Sequence, residues 1–283
     1  VIATCLLEND GRFALLDPGP ESCLENLTKS LDSLGLTVKD LDMILLTHIH
    51  LDHAGSTGAI FRENPALKVY VHEKGTPHLT DPSRLMKSAV RVFGSELKKL
   101  WGDFQSVPAN HITSLRGGET LLLGKRKLNV IHTPGHASHH ISYLDESTGV
   151  AFVGDAAGIR LSNRDCILPV TPPPEIDLDL WKESIQKIQE WKPELLFLTH
   201  FGLASPVKDH FDSLIESFQK WSDKIRRQLS EPGDDEQHAC EFLSWLRKDV
   251  VKQTGESQAI RYETAIASKM SWFGLARYLR KKD

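Results

Sequence analysis

Four short apolar runs in this 283-residue chain each end in residues that bind metals, and this placement constrains the fold more than any other feature. Leu41 to Leu46 leads into Thr47-His48-Ile49-His50-Leu51-Asp52-His53-Ala54-Gly55, with three imidazoles and one carboxylate within six residues. Lys127 to Ile131 delivers His132-Thr133-Pro134-Gly135-His136. Val150 to Val153 delivers Gly154-Asp155, and Leu195 to Leu198 delivers Thr199-His200. Apolar runs of this length read as buried strands. A single His or Asp at a strand end is more often structural than functional. Ligand-type residues at the same end of four strands gather on one rim of a sheet, and that convergence is the argument for one shared site. Imidazole and carboxylate are the donors zinc takes where a catalytic site keeps a position open.

The remaining pattern alternates strands and helices, which argues for a sheet-based α/β architecture. Val1 to Leu7 and Arg12 to Leu16 flank Asn9-Asp10-Gly11, a hairpin signal. Thr120 to Leu123 pairs with Lys127 to Ile131, and Ile141 to Asp145 with Val150 to Val153. Lys68 to Val71 is a further strand. Helical spacing covers Glu21 to Leu34, Gly55 to Arg62, Thr80 to Trp101, Leu178 to Trp191, Pro206 to Leu229 and Glu236 to Val251. Gly158 to Pro174 has four prolines and little periodicity, so a long loop is expected beside the site.

Composition narrows the function classes. Apolar residues make up 40% and charged residues 25%, with a net charge of −4. A polynucleotide partner calls for a basic excess that is missing here. Arg277 to Lys282 is the one basic cluster and reads as a solvated tail. No apolar run approaches the ~18 residues of a membrane span. Val1 to Asn9 shows no signal peptide, though the chain opens inside an expected strand and a short N-terminal piece is expected to precede it. Cys5, Cys23, Cys166 and Cys240 form no CxxC and read as reduced thiols of a cytoplasmic protein. The expected partner is a small-molecule substrate, without nucleic acid or membrane; a homo-oligomer is left open.

The order H-x-H-x-D-H, T-P-G-H, G-D after a strand and a late His resembles the metallo-β-lactamase superfamily, across roughly residues 1 to 205. Asp17, in Leu15-Leu16-Asp17-Pro18-Gly19, is similar to that superfamily's early acidic motif. The resemblance implies an α/β fold, a four-layer αββα sandwich over 1–205, followed by a C-terminal helical extension over 206–283. It implies two divalent metal ions, zinc first, with iron or manganese as alternatives. His48, His50 and His136 would hold the first, and Asp52, His53 and His200 the second. Asp155 would bridge them, and Asp17 would support the ligands from behind. The complete set is more similar to the glyoxalase II and lactonase branches than to true β-lactamases, which are typically secreted and commonly replace some of these ligands. Gly154 to Gly158, the Pro-rich loop and Met270 to Tyr278 resemble a small prokaryotic-type branch.

Two metals about 3.5–4 Å apart can share one hydroxide that attacks a carbonyl carbon. The metals alone serve carbonyl and phosphoryl centres alike; the resemblance to the glyoxalase II and lactonase branches implies hydrolysis of an ester-type bond, a lactone, thioester or similar, with Asp52 as the catalytic proton acceptor. The alternative is a persulfide dioxygenase-like oxidoreductase using one iron on the same scaffold. Of the other histidines, His132 is expected to lie behind the ligands and His72 to be structural. His139 and His140 are expected in a loop or at the surface, and His78, His111, His210 and His238 in solvent. Arg160, Asp165 and Phe201 are the candidate substrate contacts.

Overall fold

The computed structural model describes residues 2–161, 166–265 and 268–282, so Asp165 lies outside the described residues. Five strands form one sheet in the order β1 (Cys5–Asn9), β2 (Arg12–Leu16), β3 (Met43–Leu45), β4 (Lys68–His72), β5 (Ile112–Leu115). Strands β1 and β2 form the expected hairpin. Asp10 and Gly11 take φ of 52° and 71° at its turn, the paired positive values that suit the twist of a two-residue connection. Strands β2 to β5 are parallel, in register Leu16 with Leu45 and Leu45 with Tyr70. All of β3 is buried, as a strand covered on both faces must be.

The second sheet has the order β11-β10-β9-β8-β7-β6, from β6 (Thr120–Leu123), β7 (Arg126–His132), β8 (Ile141–Asp145), β9 (Val150–Phe152), β10 (Leu195–Leu198) and β11 (Gly202–Ala204). Strands β9 and β10 are parallel, with Phe152 opposite Phe197. Neither β5 nor β11 was legible as a strand, because Ile-Thr-Ser-Leu is half polar and Gly-Leu-Ala is only three residues long, too little to show a period.

The helices are α1 (Leu24–Asp32), α2 (Leu51–Ala54), α3 (Thr57–Glu63), α4 (Thr76–Thr80), α5 (Ser83–Phe93), α6 (Leu97–Trp101), α7 (Leu178–Glu190), α8 (Val207–Ser230), α9 (Asp235–Thr254), α10 (Glu256–Ala265) and α11 (Ser268–Lys282). The single helix expected over Thr80 to Trp101 is a correction. Asp81 and Pro82 separate α4 from α5, and Gly94 ends α5 at φ 53°. Proline removes a helical donor, and a left-handed glycine terminates a helix, so the amphipathic spacing survives while the helix does not. No helix among the described residues is long and apolar enough to cross a membrane.

By contacts the chain divides into two compact units: Ile2–His132 with His139–Gly149, and Thr133–Ser138 with Val150–Asp283. In the first, Leu15, Ile44, Leu46, Val69 and Val71 centre a core that α1 and α3 help to close. In the second, α8 buries Phe211, Leu214, Phe218, Trp221 and Ile225, the stripe that recurs every three to four residues on one face of a helix. Asp177 and Asp234 cap α7 and α9 by accepting backbone N–H bonds. Trp272, on α11, is fully buried, and its indole N–H donates to Gln228.

Helix α11 approaches the loop after β9 so closely that Gly274 is a steric requirement. A Cβ there would lie 2.0 Å from the Thr171 carbonyl oxygen and 2.8 Å from the Pro173 nitrogen. Gly274→Ala is expected to destabilise the protein by roughly 1–3 kcal/mol through overpacking. Thermal unfolding followed by circular dichroism checks this. An unchanged midpoint would mean that α11 does not approach the loop this closely.

Candidate metal centre

In the unit holding the first sheet, β2 and β3 run parallel and end together, which places Asp17 beside Thr47. Asp17 is buried and sits at φ 44°, a left-handed backbone that Asp tolerates better than most residues. Its carboxylate accepts from the Thr47 N–H at 2.8 Å and from the Thr47 hydroxyl at 2.7 Å, and lies 2.8 Å from His53 Nδ1. An ionised carboxylate only accepts, so the His53 proton sits on Nδ1 and the Nε2 lone pair points away.

The same logic reaches His48. The single hydroxyl proton of Thr47 goes to Asp17, so Thr47 Oγ1 accepts from His48 Nδ1 at 3.1 Å. This leaves the His48 Nε2 lone pair 3.0 Å from His50 Nδ1. Past His50 the chain turns into α2, whose first turn carries Asp52 and His53 with Asp52 Oδ2 3.7 Å from His53 Nε2. Four of these rings crowd together: His48 lies 4.5 Å from His50, 4.0 Å from His53 and 5.0 Å from His140, centroid to centroid.

In the other unit, the parallel pair β9 and β10 ends at one edge and brings Asp155 beside His200. Asp155 rides on the buried turn Gly154–Ala157. His136 Nδ1 donates to the Val170 carbonyl at 2.7 Å, which turns Nε2 toward Asp155 Oδ2 at 3.4 Å. Asp155 Oδ1 lies 3.4 Å from His200 Nε2. Each oxygen of one carboxylate therefore faces a different imidazole. The carbonyls of this turn are held from behind: Trp181 Nε1 donates to Ala156 O and His210 Nε2 to Ala157 O, both at 2.8 Å.

These donors fit divalent metal. Two ligands of a tetrahedral ion, at bonds of about 2.0–2.2 Å, sit roughly 3.3–3.6 Å apart, and both Asp155–imidazole separations fall in that range. Among the described residues, each unit thus gathers ligand-type side chains of its own: His48, His50, Asp52 and His53 in the first, and His136, Asp155 and His200 in the second.

Comparison with known proteins gives the same direction. The family model for the metallo-beta-lactamase superfamily matches residues 2–200. The chain belongs to the metallo-beta-lactamase superfamily. It is 32% identical over 205 residues to the metallo-beta-lactamase fold-containing protein ST1585 of Sulfurisphaera tokodaii, covering 68% of this chain and 76% of that protein. The crystal structure of ST1585 matches with a TM-score of 0.61 at 28% identity, over 75% of this chain and 78% of that one. The family protein TTHA1429 of Thermus thermophilus matches over 98% of this chain and 87% of its own, with a TM-score of 0.71 at 22% identity. The hydroxyacylglutathione hydrolase GloC of Haemophilus influenzae is 25% identical over 52% of this chain and 62% of its own length. The fold is thus the α/β, αββα sandwich of the superfamily, followed by C-terminal helices.

The histidine expectations hold in part, and those for His210 and His238 need correction. His139 and His140 lie in the loop before β8, as expected, but are buried there, at 6% and 0% exposure, against the His48 and His50 rings. His210 and His238 are buried too, not solvated. His210 takes the apolar face of α8, and burial drags its pKa down to about 4 despite the bond to Ala157. His238 faces Trp272 from α9. His132 is half-buried and stacks on His72 at 4.3 Å. Burial, then the neighbouring His132 and Lys74, lower the His72 pKa to about 4. Arg160 is half-buried, with its backbone N–H on His200 O, and Phe201 is half-exposed. Sequence reasoning missed Thr47, Val170 and Trp181. Thr47 stands inside the motif and was within reach; a backbone carbonyl such as that of Val170 leaves no mark in a sequence.

Asp17→Asn tests the inferred protonation chain. An amide cannot accept at both oxygen positions, so either Thr47 or His53 loses a partner. Metal affinity is expected to fall about 10–100-fold, as for other residues that orient a ligand imidazole. Calorimetric metal titration checks it, and wild-type affinity in the variant would contradict the assigned tautomers.

Proposed function

We propose that this chain is a metal-dependent hydrolase of ester-type bonds, such as lactones or thioesters, with two divalent metals held by His48, His50, Asp52, His53, His136, Asp155 and His200. The observation that carries the reading is the Asp155 carboxylate, each of whose oxygens faces a separate imidazole. That is the arrangement of two centres sharing one bridge. The donors gathered within each unit support it, since His48, His50, Asp52 and His53 supply four of the seven and His136, Asp155 and His200 the other three. Zinc suits this nitrogen and oxygen donor set best, and iron or manganese share it.

Bound there, two metals supply a water that ionises near neutral pH and a Lewis acid for the carbonyl oxygen. The chain's own residues do the rest. Asp17, through Thr47 and directly, keeps the protons of His48 and His53 on Nδ1, and Val170 does so for His136. Asp52 is the least buried acid of the set, its side chain 22% exposed, so it can take a proton from the reacting centre and return it to solvent. We place the substrate wall at the loop after Asp155, with Arg160 and Phe201 as contacts, and residues 206–283 as a helical extension of a 1–205 catalytic domain. Asp165 completes the proposed contact set from sequence alone.

The substrate class follows from charge and kinship. A net charge of −4 disfavours a polynucleotide, and one relative carries the name hydroxyacylglutathione hydrolase. The four free cysteines agree with a cytoplasmic setting.

Asp155→Asn is expected to cost at least about 100-fold in kcat/KM, through loss of bridging charge, and His132→Ala less than about tenfold. Steady-state kinetics on variants of matched thermal stability decide it; equal losses would refute the two roles. The zinc-loaded protein is further expected to hydrolyse a lactone, thioester or aryl ester above its metal-stripped control. Turnover restricted to phosphodiesters or single-stranded RNA would overturn the substrate class, and activity that depends on one bound iron would overturn the hydrolase reading.

A further inference from the structure

The loop that leaves Asp155 does more than border the site, because it supplies backbone groups to two proposed ligands. Val170 O accepts from His136 Nδ1, and the Arg160 N–H donates to His200 O at 2.7 Å. The two arms of the loop are tied to each other where Ile159 and Leu168 exchange N–H to O bonds at 2.8 and 3.1 Å. In an antiparallel ladder the next such exchange falls two residues along each arm. Here that pair is Leu161 and Cys166. They do not bond to each other directly. The Tyr262 hydroxyl, from α10, stands between them: the Leu161 N–H donates to it at 3.0 Å, and it donates to Cys166 O at 2.6 Å. One phenol oxygen thus relays the donor and acceptor of a missing ladder rung, with the same polarity. Leu161, Cys166 and Tyr262 are all buried, so water does not substitute.

We infer that Tyr262 is a positioning residue of the metal centre: its hydroxyl, held between Leu161 and Cys166, fixes the separation of the two loop arms that orient His136 and His200. The inference rests on the reading of these histidines as metal ligands. A second bond on the same loop acts independently. The Thr171 hydroxyl, next to Val170, donates to Ser271 O on α11 at 2.9 Å. The C-terminal helices are therefore part of the machinery that aims the ligands.

The test uses the full chain reconstituted with cobalt(II). Cobalt affinity is measured by titration, and ligand geometry by the visible absorption of the bound ion. Tyr262→Phe keeps the ring and removes only the hydroxyl. It is expected to weaken cobalt binding about tenfold or more, within the range for residues that orient ligands indirectly, and to shift the visible bands. Thr171→Val is expected to act in the same direction and serves if Tyr262→Phe does not fold. Phe242→Leu, in the core between α8 and α9 and 5.2 Å from Trp221, is the control for general loosening; it is expected to lower the melting temperature without changing affinity or spectrum. Wild-type affinity and spectrum in both loop variants would overturn the inference alone. An equal effect of Phe242→Leu would also overturn it, by reducing Tyr262 to a stability role. A wild-type chain that binds no cobalt would overturn both the inference and the metal-centre reading beneath it.

Discussion

A carboxylate buried without partners is among the most unfavourable groups a protein can contain, and Asp17 shows how this chain meets that cost. Its two oxygens take the Thr47 N–H, the Thr47 hydroxyl and the His53 ring. Those bonds stabilise the charge and also fix where protons sit on the imidazoles in front of it. A neutral imidazole with its proton committed to Nδ1 presents a lone pair at Nε2 and nothing else. The proposed metal centre depends on that commitment more than on the mere presence of histidines. Where no carboxylate is at hand, for His136, a backbone carbonyl from Val170 does the same work.

The positions of these groups follow from strand pairing. Parallel neighbours end at the same edge, so β2 beside β3 sets Asp17 next to Thr47, and β9 beside β10 sets Asp155 next to His200. Close approach then fixes small residues. A Cβ on Gly135, which has φ 135°, would fall 2.4 Å from Trp181 Cα, so the glycine of Thr133-Pro134-Gly135-His136 is a steric demand of α7. Trp181 in turn donates to the turn that carries Asp155. Motif residues and packing residues are thus bound to one another.

Much of this was legible in the sequence, and for identifiable reasons. Strands rich in Leu, Ile and Val, each followed by His or Asp, carry a strong pattern, so β3, β7, β9 and β10 could be placed and the superfamily recognised. Gly and Pro punctuation marked the first hairpin. Amphipathic spacing did not reveal that Pro82 and Gly94 cut one expected helix into three. Histidines were the least legible. His140 and His210 are polar by type yet buried by context, because their surroundings come from β3 and from the Ala157 turn, distant in sequence. The role of Tyr262 lies in a ladder register between Ile159 and Leu168, which becomes visible only once the loop is folded.

The central claim is that these seven side chains hold two metal ions sharing Asp155. Anomalous diffraction from a crystal of the zinc-loaded chain, collected on both sides of the zinc edge, tests it most directly. The account predicts two peaks about 3.5–4 Å apart, one against His48, His50 and His136, the other against Asp52, His53 and His200, with Asp155 reaching both. A single peak, or peaks that leave Asp155 outside bonding distance, would contradict it.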